Sequence, residues 1–355
     1  MNLVIQPDLQ NKALQIPTDP YAIVLCGGGA AGADQAGVLA AYAQAGVVQK
    51  ASVIVGTSVG GLTAALFALL GGNTPDNQSV SPVPADPWKT AVEVWESIKS
   101  NNDIYKGSIN WLSSVWGFIT GAESILDPSP LHNKIAGIFK DKTLEDVTET
   151  FNTQLIVSSL DLNSRREEFY SSFNKYKGMK IVDALKRTSA IPGVFKSIPG
   201  KDGDDKNTHW HIDGGLGANN PFIALNMYNA AFPGAVVKKV IVIYCYPEAY
   251  VDTGTELTGP DTDKSYKTFR DTLLGCIPAS LDTQEQIAEM IIEDKVLTSQ
   301  WDVGGVWPLK PPTDALQFGK TAQLLREGYA RGVEGMIWSY REKAMVRLVD
   351  FIKRV

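Results

Sequence analysis

Short apolar runs that stop at glycines and give way to apolar helical patterns recur along this chain. The clearest is Ala51 to Gly72, ASVIVGTSVGGLTAALFALLGG. Val53-Ile54-Val55 predicts a strand, Gly56-Thr57-Ser58-Val59-Gly60 a tight turn, and Leu62 to Leu70 a helix. Upstream, Tyr21 to Leu25 (YAIVL) predicts a buried strand running straight into Cys26-Gly27-Gly28-Gly29-Ala30-Ala31-Gly32, followed by a helical pattern over Gly37 to Ala45. Strand, glycine turn and helix in alternation predict an α/β domain with a mainly parallel sheet.

Further strands are predicted at Gln154 to Leu160, with Glu168 to Ser171 as its hairpin partner, at Val194 to Ile198, at Trp210 to Asp213, at Val236 to Tyr246 and at Trp301 to Leu309. Helices are predicted opening at Pro130, over Thr143 to Glu149, Ile181 to Ser189, Tyr266 to Leu274 and Thr283 to Thr298, and from Thr321 onward. The tail from Arg341 sets Lys343, Arg347, Lys353 and Arg354 among Val346, Leu348, Val349, Phe351 and Ile352, which predicts an amphipathic basic helix. The chain thus divides into an extension over 1–20, a domain over 21–331 and a C-terminal helix over 332–355. Within the domain, 86–122 gathers Trp88, Trp95, Trp111 and Trp116 with Phe118 and Ile119. That segment reads either as a lid that meets acyl chains or a membrane surface, or as a helical layer packed on the core.

Composition narrows the classes. A length of 355 residues with 44% hydrophobic content suits a globular fold with a full core. Thirty-three Lys plus Arg against 39 Asp plus Glu leave a net charge of -6, which argues against a partner bound through nucleic-acid phosphates. The three cysteines, Cys26, Cys245 and Cys276, have no metal spacing, and no metal ligand set or cofactor is expected. The N-terminus lacks the basic start and apolar core of a secretory signal, so a cytoplasmic location is expected. Lys50 to Asp76 carries no charge between its ends, yet glycines interrupt it, and a helix buried against a sheet is expected rather than a membrane span.

The candidate chemistry lies in the turns. Gly56-Thr57-Ser58-Val59-Gly60 fits G-x-S-x-G, in which a serine on a strained strand-to-helix turn presents its hydroxyl at the head of the helix. The loop at Gly27, Gly28 and Gly29 offers backbone N–H groups beside a helix start, which suits a phosphate or an oxyanion. A dinucleotide fingerprint fits Gly27, Gly29 and Gly32 formally, but no acidic residue closes the next strand, so the oxyanion reading is preferred. Trp210-His211-Ile212-Asp213-Gly214-Gly215 ends a strand on an aspartate. A Ser-His-Asp esterase remains formally open, with Ser58, then Asp161 or Asp183, then His209 or His211.

Four elements taken in order, GGGAAG, GTSVG, TSAIPGVF at Thr188 to Phe195 and IDGGLGANNP, resemble the patatin-like phospholipase family, as does ALQFGKTAQLLREGYARG near the end. The resemblance implies a three-layer α/β/α fold. It implies Ser58 as nucleophile, Asp213 as general base, and an oxyanion hole from Gly27, Gly28, Gly29 and the N–H of Val59, with Gly56, Gly60, Gly214 and Gly215 supporting the turns. It further implies hydrolysis of phospholipid or lysophospholipid esters through an acyl-serine at a membrane or micelle surface, by a protein peripheral to the membrane. A catalytically weak lipid-binding protein, or one that awaits an activating partner or a homo-oligomer, is the alternative. The family commonly has Arg or Lys at the fifth position of the glycine loop, where this chain has Ala31.

Overall fold

The computed structural model describes residues 19–70, 87–107, 126–151, 153–201, 207–246, 284, 287–308 and 316–353. In chain order the strands are β1 (Tyr21–Leu25), β2 (Val53–Thr57), β3 (Gln154–Asp161), β4 (Arg166–Ser171), β5 (Ile198–Gly200), β6 (His209–Asp213), β7 (Lys239–Ile243), β8 (Asp302–Val306), β9 (Met336–Ser339) and β10 (Ala344–Arg347). The main helices are α1 (Gly32–Gln44), α2 (Val59–Leu70), α3 (Pro87–Glu96), α4 (Ser129–Phe139), α5 (Leu144–Phe151), α6 (Ile181–Thr188), α7 (Ala224–Ala231), α8 (287–297), α9 (Thr321–Glu334) and α10 (Leu348–Lys353).

All ten strands join one sheet whose centre, β8-β7-β1-β2-β3, is parallel throughout. Antiparallel β9 and β10 extend it on one side, and β4 and the β5–β6 hairpin join β3 antiparallel on the other. β1, β2 and β7 are buried along their whole length, as the β-branched composition of YAIVL and KVIVI requires of strands covered on both faces. Alternate residues feed two cores. Ile23, Leu25, Ile54, Val157 and Ile241 pack with α1, α2, α3, α4 and α9, while Val24, Val53, Val55, Ile156 and Val242 pack with α7 and α8. The result is the expected three-layer α/β/α arrangement.

The uncharged run after Lys50 divides into β2, a turn and α2, with Phe67 fully buried. No helix among the described residues is long and apolar enough to cross a membrane. Trp88 and Trp95 are buried in the helical layer, whereas Trp111, Trp116, Phe118 and Ile119 lie outside the described residues, as do 1–18 and the predicted helix over Tyr266 to Leu274.

Two expectations are corrected. The tail is not one amphipathic helix over 332–355. Gly335 takes a left-handed backbone (φ 62°) that caps α9, and β9 and β10 follow as a hairpin before the short α10. Met336-Ile337-Trp338-Ser339 alternates half-buried with buried positions, a period of two that marks a strand. Extended structure begins at Ile198 rather than Val194, because the N–H groups of Val194 and Phe195 both turn back to the carbonyl of Ile191.

Candidate active site

Strand register brings the chemistry together. Thr57 at the end of β2 pairs with Ser158 of β3, and Asp213 at the end of β6 pairs with the next residue, Ser159. The opposite edge of β3 is occupied by β4 at the same positions, through Phe169 and Glu168. So β2 and β6 share one edge of β3, run in opposite directions and meet end to end. Ser58, the residue just past β2, and Asp213, the last of β6, meet there, although 155 positions separate them in the chain.

The Ser58 hydroxyl donates to Asp213 Oδ2 at 2.6 Å. Ser58 holds φ at 52°, a left-handed conformation that costs a non-glycine residue on the order of 1–3 kcal/mol. The turn is held from outside, by the Ser58 N–H donating to Thr188 Oγ1 at 2.7 Å. Gly60 lets the turn press on the end of β1, since a Cβ there would stand 2.4 Å from the carbonyl oxygen of Leu25. Gly56 is equally close to the Gly60 carbonyl, and Gly214 to Thr57 and Ser158.

Asp213 is anchored on both sides of its carboxyl. Its N–H donates to the Ala190 carbonyl, and the Gly215 N–H donates to its Oδ1 at 2.8 Å. Burial pushes its pKa up to about 6, against the opposing pull of the bonds from Ser58 and Gly215.

The glycine loop lies beside Ser58. Gly29, at φ 57°, opens a single 3₁₀ turn that leads into α1, and Val59 is the first residue of α2, so two helix starts converge on the serine. One predicted donor is corrected: the Gly27 N–H is already spent on the Asn219 carbonyl at 3.1 Å, which leaves Gly28, Gly29 and Val59.

Neither histidine alternative reaches the serine. His209 Nδ1 lies 2.7 Å from Asp161 Oδ2, and fully buried His211 has Nδ1 3.1 Å from the Tyr170 hydroxyl. Burial, with the Arg187 charge nearby, pulls the His211 pKa down to about 4. Asp183 is exposed on α6. Among the described residues no group of three or more His, Cys, Asp or Glu side chains is placed to hold a metal ion.

A sequence model of the family described as patatin-like phospholipase matches residues 23–226, more than half of the chain. The chain belongs to that family. Mouse patatin-like phospholipase domain-containing protein 7 is 27% identical over 214 residues, which is 60% of this chain and 13% of that protein. This chain therefore spans about an eighth of the curated relative it matches. Among solved structures, VipD from Legionella pneumophila aligns over 93% of this chain and 68% of its own, at 14% identity and a TM-score of 0.42. Human GIVD cytosolic phospholipase A2 aligns over 67% of this chain and 48% of its own, at 10% identity and a TM-score of 0.38.

In this patatin-like chain Ser58 and Gly29 also form part of the wall of a pocket with about 730 Å³ of empty space. Apart from Lys134 and Ser189 its other walls are apolar, among them Leu62 and Leu66 of α2, Trp95 of α3, and Leu131, Ile135 and Phe139 of α4. The helical spacing of the α4 residues was the available signal for that wall, but spacing shows only that a face is buried. Two further residues of the site carry no signal in the sequence. Thr188 lies within TSAIPGVF without marking itself as the acceptor for Ser58. Gln35, fully buried, donates to the carbonyls of Cys26 and Ile243 at 2.9 and 2.7 Å and ties the loop to the ends of β1 and β7.

Proposed function

We propose that the protein hydrolyses carboxylic esters of phospholipids or lysophospholipids, with Ser58 as nucleophile and Asp213 as its only general base. The observation that carries this reading is the 2.6 Å hydrogen bond from Ser58 Oγ to a buried carboxylate whose pKa, raised by burial to about 6, suits proton exchange near neutrality. Asp213 takes the hydroxyl proton as Ser58 Oγ bonds to the ester carbonyl carbon. It then returns that proton to the leaving alkoxide as the tetrahedral intermediate collapses to acyl-serine. Water attacks next, gives its proton to Asp213, and the proton passes to Ser58 Oγ as the fatty acid leaves. The N–H groups of Gly28, Gly29 and Val59 face the negative oxygen in both intermediates, each such donor being worth about 3 kcal/mol.

The apolar pocket beside Ser58 takes the acyl chain, and a membrane or micelle surface supplies the lipid. The test is release of p-nitrophenol from medium-chain esters and of fatty acid from phospholipid vesicles. The expected outcome is turnover by the wild type and by His211→Ala, with none by Ser58→Ala or Asp213→Asn. Loss at His211 equal to loss at Asp213, in a variant that folds, would return the histidine mechanism. A wild type that neither turns over substrate nor reacts with a fluorophosphonate at Ser58 would make the protein a lipid-binding relative.

A further inference from the structure

The family match ends at residue 226, but the glycine loop is held by residues beyond it. Cys245, just past the end of β7, wedges under the loop: a Cβ on Gly28 would stand 2.3 Å from the Cys245 Cβ, and the Cys245 thiol reaches the Cys26 carbonyl at 3.5 Å. The Tyr246 hydroxyl donates to the Gly28 carbonyl at 3.4 Å. Immediately before them, Tyr244 turns its side chain to the opposite face of the sheet. There it is buried and stacks on Trp307, with rings 8° from parallel and centroids 4.7 Å apart.

The hydroxyls of Tyr244 and Tyr340 lie 2.9 Å apart, and each donates to a different oxygen of Glu289 on α8, both at 2.5 Å. With both hydroxyls donating, each oxygen of Glu289 takes one proton, and these bonds oppose the burial that raises the carboxyl's pKa. The Tyr244 hydroxyl in turn accepts from Asn220 Nδ2 at 3.4 Å, and the residue before Asn220 supplies the carbonyl that takes the Gly27 N–H. Two routes therefore run from one carboxylate to successive glycines of the loop, one along the backbone from Tyr244 to Cys245 and one through Asn220.

We propose that Glu289 is a positioning residue for the oxyanion loop, acting through Tyr244 on Gly27 and on the donor at Gly28. The inference rests on the catalytic reading given above. Glu289 touches no reacting atom; it fixes where the donors stand, and misplaced donors lose transition-state stabilisation without losing substrate. Glutamine at this position offers one acceptor and one donor, so one of the two tyrosines must turn its proton away.

The test compares wild type with Glu289→Gln on a medium-chain p-nitrophenyl ester and on its thionoester, in which sulfur replaces the carbonyl oxygen. Donors set for oxygen favour the ester. Glu289→Gln is expected to lower kcat on the ester about tenfold with KM and Tm close to wild type, and to narrow the ester-to-thionoester ratio. Tyr340→Phe, which removes one hydroxyl only, is expected to move both readouts the same way by a smaller factor and serves if Glu289→Gln fails to fold. An active wild type with either folded variant unchanged, or with ester and thionoester rates falling in equal proportion, overturns the positioning role alone. A wild type that turns over neither substrate overturns the catalytic reading, and the positioning role with it.

Discussion

Two aspartates two rungs apart in the sheet have been pushed in opposite directions. Asp213 ends β6 opposite Ser159, and Asp161 ends β3 opposite His211; both are buried. Burial raises the pKa of each, yet Asp213 stands at about 6 and Asp161 at about 2. The difference is in the donors. Asp161 is met by the Ser164 hydroxyl, by His209 and by the N–H groups of Asn163 and Ser164, while Asp213 receives only the Gly215 N–H and the Ser58 hydroxyl. A carboxylate saturated with donors is fixed as a structural anion, and one left short of them keeps the basicity that proton transfer needs.

The sharpest way to break this contrast is to neutralise each group in turn and read the rate. Asp213→Asn and Ser58→Ala are expected to lower kcat by about 10⁴-fold or more, because a serine without a base, or a base without its serine, leaves only binding and the oxyanion hole. Asp161→Asn is expected to change kcat by less than about threefold, since surface and structural changes away from the reacting atoms act through stability. Steady-state turnover of a p-nitrophenyl ester by the three folded variants checks both. Comparable losses at the two aspartates would remove the distinction.

Stability should run the other way. Asp213 has a folded pKa above its unfolded value near 3.8, so its favourable contribution is complete below that value and is lost as pH rises through about 6. At pH 7 the buried charge then costs about 3 kcal/mol, by the conversion of 1.36 kcal/mol per pKa unit. Asp161 has a folded pKa below its unfolded value, so its contribution is present above about 4 and is lost as pH falls through about 2. At pH 7 it stabilises the fold by about 2 kcal/mol on the same conversion. Asp213→Asn is therefore expected to raise the urea midpoint at pH 7 and Asp161→Asn to lower it. Denaturation curves with unchanged slope would show the opposite signs, and a midpoint lowered in both would mean that Asp213 is held as a structural anion too.

How much of this could be read from the chain depends on how local the cause is. β1, β2 and the helices after them are written in short apolar runs cut by glycine, and Ser58 stands out because a G-x-S-x-G turn needs only its immediate neighbours. Asp213 was legible as a residue, being an aspartate before two glycines, but the reason it meets Ser58 is the shared edge of β3, a matter of register that no single segment encodes. For the same reason the sequence alone presents the Gly27 N–H as a donor: Asn219, which consumes it, arrives from far along the chain. The tail's charges fit both a helix and a strand pattern, and Gly335 together with the alternation of Met336 to Ser339 decides for the strand. The pKa contrast between Asp161 and Asp213 was out of reach altogether, since both are aspartates at strand ends and only the count of donors around each tells them apart.

The smallest effect sharpens the comparison without any substitution. If Asp213 must be ionised to accept the Ser58 proton, kcat/KM for the free enzyme should be flat above about pH 7 and fall on the acid side with an apparent pKa near 6. One unit below that pKa the base is about nine-tenths protonated, so the rate at pH 5 should be roughly a tenth of its plateau, a change of about 1.4 kcal/mol. Asp161 stays ionised throughout that window, because its pKa of about 2 lies well below it. His211, drawn down to about 4 by burial, is neutral across most of it. A limb near 6 that survives in His211→Ala assigns the titration to the carboxylate beside Ser58. A limb that moves to 4 or below would mean that Asp213 receives more hydrogen bonds in the working enzyme than the two seen here, and that the two aspartates differ in position but not in character.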